Sequence, residues 1–172
     1  QNLQVRFQQE RAEAQRTDNL RQLLELRDRA NLETVAAEVI AGPASPDFRT
    51  VTIDKGSSDG LATDMAVISP AGVVGRVILS SGRAAKVQLL IDRNAAAGVL
   101  IERTRVQGIV MGMSDGVLRL QYVPGTADVK TGDLVVTSGI DGIYPKGFVI
   151  GTVDHADRGA GAYLEISVRA AV

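Results

Sequence analysis

The sequence predicts a mainly β protein: a long N-terminal α-helix of coiled-coil type followed by two small antiparallel β-barrel subdomains. Three observations lead there. All 18 glycines and all 5 prolines of the 172 residues lie at or beyond Gly42. Residues 1–33 hold a single β-branched aliphatic, Val5, among Gln, Glu, Arg and Leu, which are good helix formers. From residue 34 onward, short Val/Ile-rich runs recur between Gly, Pro, Asp and Ser turns. The expected division is a helical segment over 1–34, a first barrel over 35–83 and a second over 84–172. The C-terminal strands are an alternative completion of the first barrel.

The N-terminal segment lacks any Gly or Pro break and reads as one uninterrupted helix. Its apolar stripe is thin. Leu3, Phe7, Ala14 and Leu24 fit a seven-residue repeat, while Glu10, Thr17, Arg21 and Asp28 occupy the other seam positions. Leu20, Leu23 and Leu26 crowd its second half. The segment reads as a helix that pairs with a second copy through Leu3, Phe7, Ala14, Leu20 and Leu24. The alternative is a solvated single helix resting partly on the following domain.

Eleven strands follow, expected over 35–41, 48–54, 65–69, 73–80, 86–91, 98–102, 106–111, 117–123, 134–137, 148–154 and 163–169. In the last, Leu164, Ile166 and Val168 face one way while Glu165, Ser167 and Arg169 face the other. That is the pattern of a half-buried antiparallel strand. Eleven short strands suggest a sandwich or two small barrels. An internal echo favours barrels. Residues 60–69 with Gly72-Val-Val-Gly-Arg-Val77 resemble residues 128–137 with Gly147-Phe-Val-Ile-Gly-Thr-Val153. Each copy ends in a strand with an internal glycine, a mark of a bulge or tight bend.

Composition removes whole classes of function. Charge is balanced, with 19 Lys plus Arg against 20 Asp plus Glu, which argues against a nucleic-acid partner held through phosphates. Aromatics make up 3% of the chain, too few for a base-stacking platform. There is no Cys and one His, so thiol catalysis and multi-histidine metal sites are excluded. No cofactor or metal is expected. The chain contains no run of 18 apolar residues and does not begin with Met, so it reads as a piece of something longer.

No catalytic motif is present. A double barrel raises the possibility of a serine hydrolase, and His155 in Val153-Asp-His-Ala-Asp157 has acids on both sides but no recognisable nucleophile. The acid pairs Asp54 with Asp59 and Asp154 with Asp157 are expected in Gly-rich turns, where Asp caps backbone. Lys55-Gly-Ser-Ser-Asp-Gly60 reads as a tight hairpin turn with left-handed glycine, an anion-binding loop being the alternative. The most distinctive segment is Thr137-Ser-Gly-Ile-Asp-Gly-Ile-Tyr-Pro-Lys-Gly147. It reads either as a rigid connection with Tyr144 capping a barrel end, or as an exposed loop presenting Ile143, Tyr144, Pro145 and Lys146 to a partner.

Five blocks together carry a family resemblance: residues 51–60, 65–77, 88–94, 103–112 and 132–147, in that order behind a Gln/Glu/Arg-rich helix. The chain resembles the extracytoplasmic region of the MreC family of bacterial rod-shape-determining proteins. That resemblance implies a stalk helix and two small β-barrels at the periplasmic face of the inner membrane. It implies a single-pass anchor helix that is absent from this sequence. It further implies a non-catalytic scaffold of the cell-elongation machinery that binds and regulates a class B penicillin-binding transpeptidase. The other implied partners are MreD, the MreB/RodA complex and a second copy of the chain, as a homodimer or higher assembly. Tyr144 stands where many relatives carry Phe. Aromatics anchor interfaces, so Tyr144 on a Gly/Pro-rich loop is the expected contact, removable with little loss of stability. The rival functions are a divergent double-barrel hydrolase using His155 and a glycan- or peptidoglycan-binding barrel.

Overall fold

The computed structural model describes residues 2–30, 32–43 and 45–172. The chain divides into two compact units, 1–36 and 37–172. The first is helix α1, Asn2–Ala30, 29 residues long, or about 43 Å at 1.5 Å per residue. It ends earlier than the composition suggested. Residues 32–38 have no regular structure, and the β-branched Thr34 and Val35 disfavour helix there.

Among the described residues the second unit holds eleven strands, one for each run expected. They are β1 (Val39–Ala41), β2 (Thr50–Ile53), β3 (Ala66–Ser69), β4 (Gly72–Ser80), β5 (Ala85–Leu89) and β6 (Ala96–Ile101). The rest are β7 (Gln107–Gly112), β8 (Leu118–Gln121), β9 (Leu134–Thr137), β10 (Val149–Arg158) and β11 (Leu164–Ala170). All pairings are antiparallel. Strands β10-β11-β8-β7-β6-β9 close into a barrel, as expected of the second subdomain. The other five form a sheet ordered β1-β2-β5-β4-β3.

The first subdomain therefore differs from the closed barrel expected of it. Its sheet ends at β1 and β3, and it takes in β5, past the expected division at residue 83. The C-terminal strand β11 pairs with β8 and β10 and so completes the barrel, not the sheet. The physical reason lies in how the sheet buries its apolar residues. Val73 and Leu90 belong to the barrel's core cluster, and Ala66 and Ile68 pack against it. Stacking on the barrel covers what closure would otherwise have to cover. A smaller cluster of Ile53, Val77, Ala85 and Val87 lies within the sheet itself.

Residues 55–60 form a single 3-10 turn, Ser57–Asp59, not a hairpin, because β2 and β3 are not neighbours. Gly60 is left-handed there, with φ 86°, as the sequence suggested. The turn's amides are spent internally. Ser57 and Ser58 N–H groups donate to Ser81 O (2.7 Å) and Gly82 O (3.0 Å), and Gly56 N–H donates to Asp59 (3.0 Å).

The two internal glycines of the sequence echo occupy matching situations. A Cβ on Gly75 would lie 1.8 Å from Gln88 O, and one on Gly151 would lie 1.9 Å from Arg169 O. Both glycines sit at register shifts in their ladders. The neighbouring backbone cannot yield as a side chain would. Gly151→Ala is expected to destabilise the chain by at least about 2 kcal/mol, read as a lowered denaturation midpoint. An unchanged midpoint would show that the ladder has slack.

Candidate partner-binding surfaces

The 137–147 loop is held shut by its own polar groups. Asp141 accepts from three amides: Gly98 N–H on β6 at 2.9 Å, Ile143 N–H at 3.0 Å and Tyr144 N–H at 3.2 Å. Thr137 Oγ donates to Pro145 O and accepts from Phe148 N–H at 2.9 Å. Gly147 N–H donates to Thr137 O at 2.9 Å. This closure turns Tyr144 inward. The ring is 2% exposed and sits in the barrel's core cluster. The expectation of Tyr144 as an exposed contact is therefore corrected: the loop is folded around that side chain. Burial is the first cause that pushes its phenol up to about 12, with Asp141 and Asp64 adding and Arg76 opposing. Ile143 and Pro145 are half-buried, and Lys146 is exposed.

What the loop shows to solvent instead is Ile140, 69% exposed. Ile140 forms one wall of a groove of about 470 Å³. Small residues of β6, Ala96 to Gly98, lie along it, and Ile109 and Tyr122 complete the apolar lining. Tyr122 also meets Tyr163 edge to face, with centroids 5.9 Å apart and planes at 83°. These residues were missed by reading the sequence. By strand alternation Tyr122 is in phase with the buried Leu118 and Leu120, so it should face inward. Its φ of 66° breaks the alternation, turning Tyr122 out and Val123 in.

Two charged clusters lie elsewhere on the barrel. Arg103 grips Asp133 through both carboxylate oxygens, at 2.8 and 2.9 Å, and reaches Asp128 at 2.8 Å. Lys130 N–H also donates to Asp133, at 2.8 Å. The Arg103 hydrogen bond is the first cause that holds the Asp133 carboxyl below its ordinary range, with burial opposing. Asp154, His155 and Asp157 lie on strand β10 and not in the turn expected for the acid pair, and His155 is exposed there, 3.2 Å from Asp157. Ser167 stands opposite His155 across the ladder. No hydrogen bond joins Ser167 to His155 among the described residues, and a strand face open to solvent does not orient a substrate as hydrolysis requires. Among the described residues no three His, Cys, Asp or Glu side chains gather as a metal site.

Residues 39–172 match the family model for the rod shape-determining protein MreC, barrel core. The chain belongs to the MreC family. It is 36% identical to the cell shape-determining protein MreC of Listeria monocytogenes over 112 residues, 62% of this chain. To that of Escherichia coli it is 32% identical over 140 residues, 81% of this chain. It spans only 38% of the length of each of these relatives. A solved MreC structure superposes with a TM-score of 0.87 at 28% identity, over 94% of this chain and 93% of that chain. The crystal structure of MreC from Pseudomonas aeruginosa gives 0.78 at 29%, over 81% and 92%. MreC in the complex with penicillin-binding protein PBP2 from Helicobacter pylori shares the fold, with a TM-score of 0.66 at 22% identity over 79% and 85%.

Ahead of the matched MreC core, α1 carries the expected seam residues in the open. Leu3, Phe7, Leu20 and Leu24 are more than half exposed, and Ala14 is exposed as well. The Arg11 guanidinium lies over the Phe7 ring, 5.3 Å from its centroid. Leu23 and Leu26 are half-buried.

Three outcomes follow from the barrel geometry. Tyr144→Ala is expected to cost about 3–5 kcal/mol, as for other buried aromatics, and to lower the thermal midpoint sharply. The phenol's raised value stabilises fully below pH 10, the ordinary value, and that stabilisation is lost as pH rises to about 12. Tyr144→Phe should therefore abolish that part of alkaline destabilisation, read by denaturation between these limits. For Asp133, whose value is depressed, the stabilisation is present above the ordinary 3.8 and lost as pH falls through the lower folded value. Asp133→Asn should be less stable than the parent at neutral pH, and the gap should close in acid. A gap independent of pH would mean that the charge of Asp133 contributes nothing.

Proposed function

We propose that this chain is a non-catalytic scaffold of the bacterial cell-elongation machinery. It binds and regulates a class B penicillin-binding transpeptidase through the barrel. The observation that carries this reading is the apolar groove walled by Ile109, Tyr122 and Ile140, with Tyr163 beside it. Exposed aromatic and aliphatic side chains around a floor of small residues form the kind of surface that anchors a protein partner. The Helicobacter pylori relative is known in complex with PBP2, which supports a transpeptidase as the occupant. The partner contact thus lies on the same 137–147 loop that the sequence singled out, at Ile140 instead of Tyr144, with Lys146 at its exposed end.

On this reading α1 self-associates through Leu3, Phe7, Ala14, Leu20 and Leu24 into a homodimer or higher assembly. Its seam is polar at Glu10, Thr17, Arg21 and Asp28, so pairing is weak and gains from tethering two copies to one membrane. MreD and the MreB/RodA complex are the further partners, reached from the periplasmic face of the inner membrane by way of a single-pass anchor. Among the described residues no helix is long and apolar enough to cross a membrane.

The test is a calorimetric titration against the soluble extracytoplasmic part of the same organism's elongation transpeptidase, with a division-specific transpeptidase as control. Ile140→Asp and Tyr122→Ala should each weaken binding at least about tenfold, with the thermal midpoint unchanged because both side chains are exposed. Undiminished binding by both variants would move the contact off the groove. Binding of both transpeptidases alike would remove the specificity the proposal requires.

A further inference from the structure

The block at residues 88–94 contains one side chain that the fold does not use. Asp92 is 1% exposed and caps backbone: it accepts from Arg49 N–H at 2.9 Å and Asn94 N–H at 2.8 Å. Gln88 Nε2 donates to it at 3.3 Å. Arg93, between Asp92 and Asn94, points away to the surface. There it lines a small cleft with Arg49, Asp47 and Ser114. The cleft lies where sheet and barrel meet. Arg49 directly precedes β2, Arg93 lies on the β5–β6 connection, and Ser114 lies on the β7–β8 turn.

Among the described residues neither guanidinium has a hydrogen-bond or ion-pair partner, although Asp47 lines the same cleft. Arg76, Arg103 and Arg169 are each paired with an aspartate; what distinguishes Arg49 and Arg93 is that the two unpaired guanidiniums line one cleft. Arg49 is also held in place. Its N–H is bound by Asp92 and its C=O accepts from Leu89 N–H at 2.9 Å. Its guanidinium lies on Gly116, where a Cβ would come within 3.0 Å of Cζ, and where φ is 79°. The cleft is about 60 Å³. A cavity of about 10–15 Å³ admits one water, so it has room for a small polar group and no more.

We propose that Arg49 and Arg93 form a carboxylate-binding site at the junction of the sheet and the barrel. Two guanidiniums offer planar forks that match a carboxylate. Asp47 on the rim reduces the local charge to +1, which suits a monoanion and disfavours a phosphate dianion. Ser114 supplies a hydroxyl donor. A carboxylate seated there touches both subdomains and so couples their positions. The group can be a chain-terminal carboxylate or an acidic side chain.

The test is an amide-shift titration of the 172-residue chain by NMR at matched ionic strength. The probes are acetyl-alanine, a doubly capped peptide with one glutamate, acetyl-alaninamide and inorganic phosphate. Saturable shifts at Arg49, Arg93 and Gly116, at low-millimolar ligand, are expected with either carboxylate and absent with the amide. The tighter of the two carboxylates assigns the source. Arg49→Gln and Arg93→Gln should each weaken binding by about tenfold, and Arg83→Gln, at an exposed arginine outside the cleft, should not. Arg93 is exposed, so its variant keeps the fold and decides the matter even if Arg49→Gln is unstable. Failure of both carboxylates to saturate, tighter binding of phosphate, equal binding of the amide, or full affinity in Arg93→Gln would each overturn the assignment.

Discussion

One carboxylate sets what the barrel presents to its surroundings. Asp141 gathers the amides of Gly98, Ile143 and Tyr144, which ties the 137–147 loop back onto β6. Each such bond contributes about 1 kcal/mol net, and the three together favour the closed loop. Two opposite fates follow from that single knot. Tyr144, three residues beyond it, goes into the core. Ile140, one residue before it, stays in solvent and becomes a groove wall. Surface and core on this side of the barrel are two results of one local geometry.

The same chemistry recurs across the second unit. Asp54 accepts from Glu38 N–H, Asp59 from Gly56 N–H, Asp92 from Arg49 and Asn94, and Asp133 from Lys130. A protein with many turns must satisfy many amides that no ladder reaches, and Asp is the short acceptor suited to that task. This accounts for acidic residues in glycine-rich turns without assigning them catalysis or metal binding. Against that background Arg49 and Arg93 stand apart as two guanidiniums that line one cleft.

Much of the fold was legible in the sequence, and the reasons are periodic. Helix and strands separated cleanly because glycine and proline are absent from the first part and β-branched residues rare in it, while all three are frequent in the other. All eleven strands could be placed because each run is bracketed by turn residues, and β11 keeps its alternation from Leu164 to Val168. What could not be read was anything set by long-range packing. Nothing local to β5 says that it joins β2 and β4, and nothing local says that the first sheet stays open and leans on its neighbour. The groove proposed as a partner surface was half legible. Gly, Pro and Tyr at 139–147 marked a special loop, but which of its side chains faced out depended on Asp141 reaching Gly98, 43 residues away in sequence. Tyr122 was hidden more completely, because a positive φ in a non-glycine residue leaves no trace in composition.

The pairing order also has a consequence for how the molecule comes into being. Every strand of the open sheet has emerged by Leu89, whereas the barrel needs β11, which ends at Ala170, to join β8 to β10. A chain delivered N-terminus first can therefore assemble its sheet early, yet Val73 and Leu90 keep their apolar faces uncovered until the final strand arrives. The interval is a window of vulnerability to premature aggregation and to proteases. It makes the last seven-residue strand the keystone of an arch: the barrel stands half-built beside the finished sheet until that piece is set.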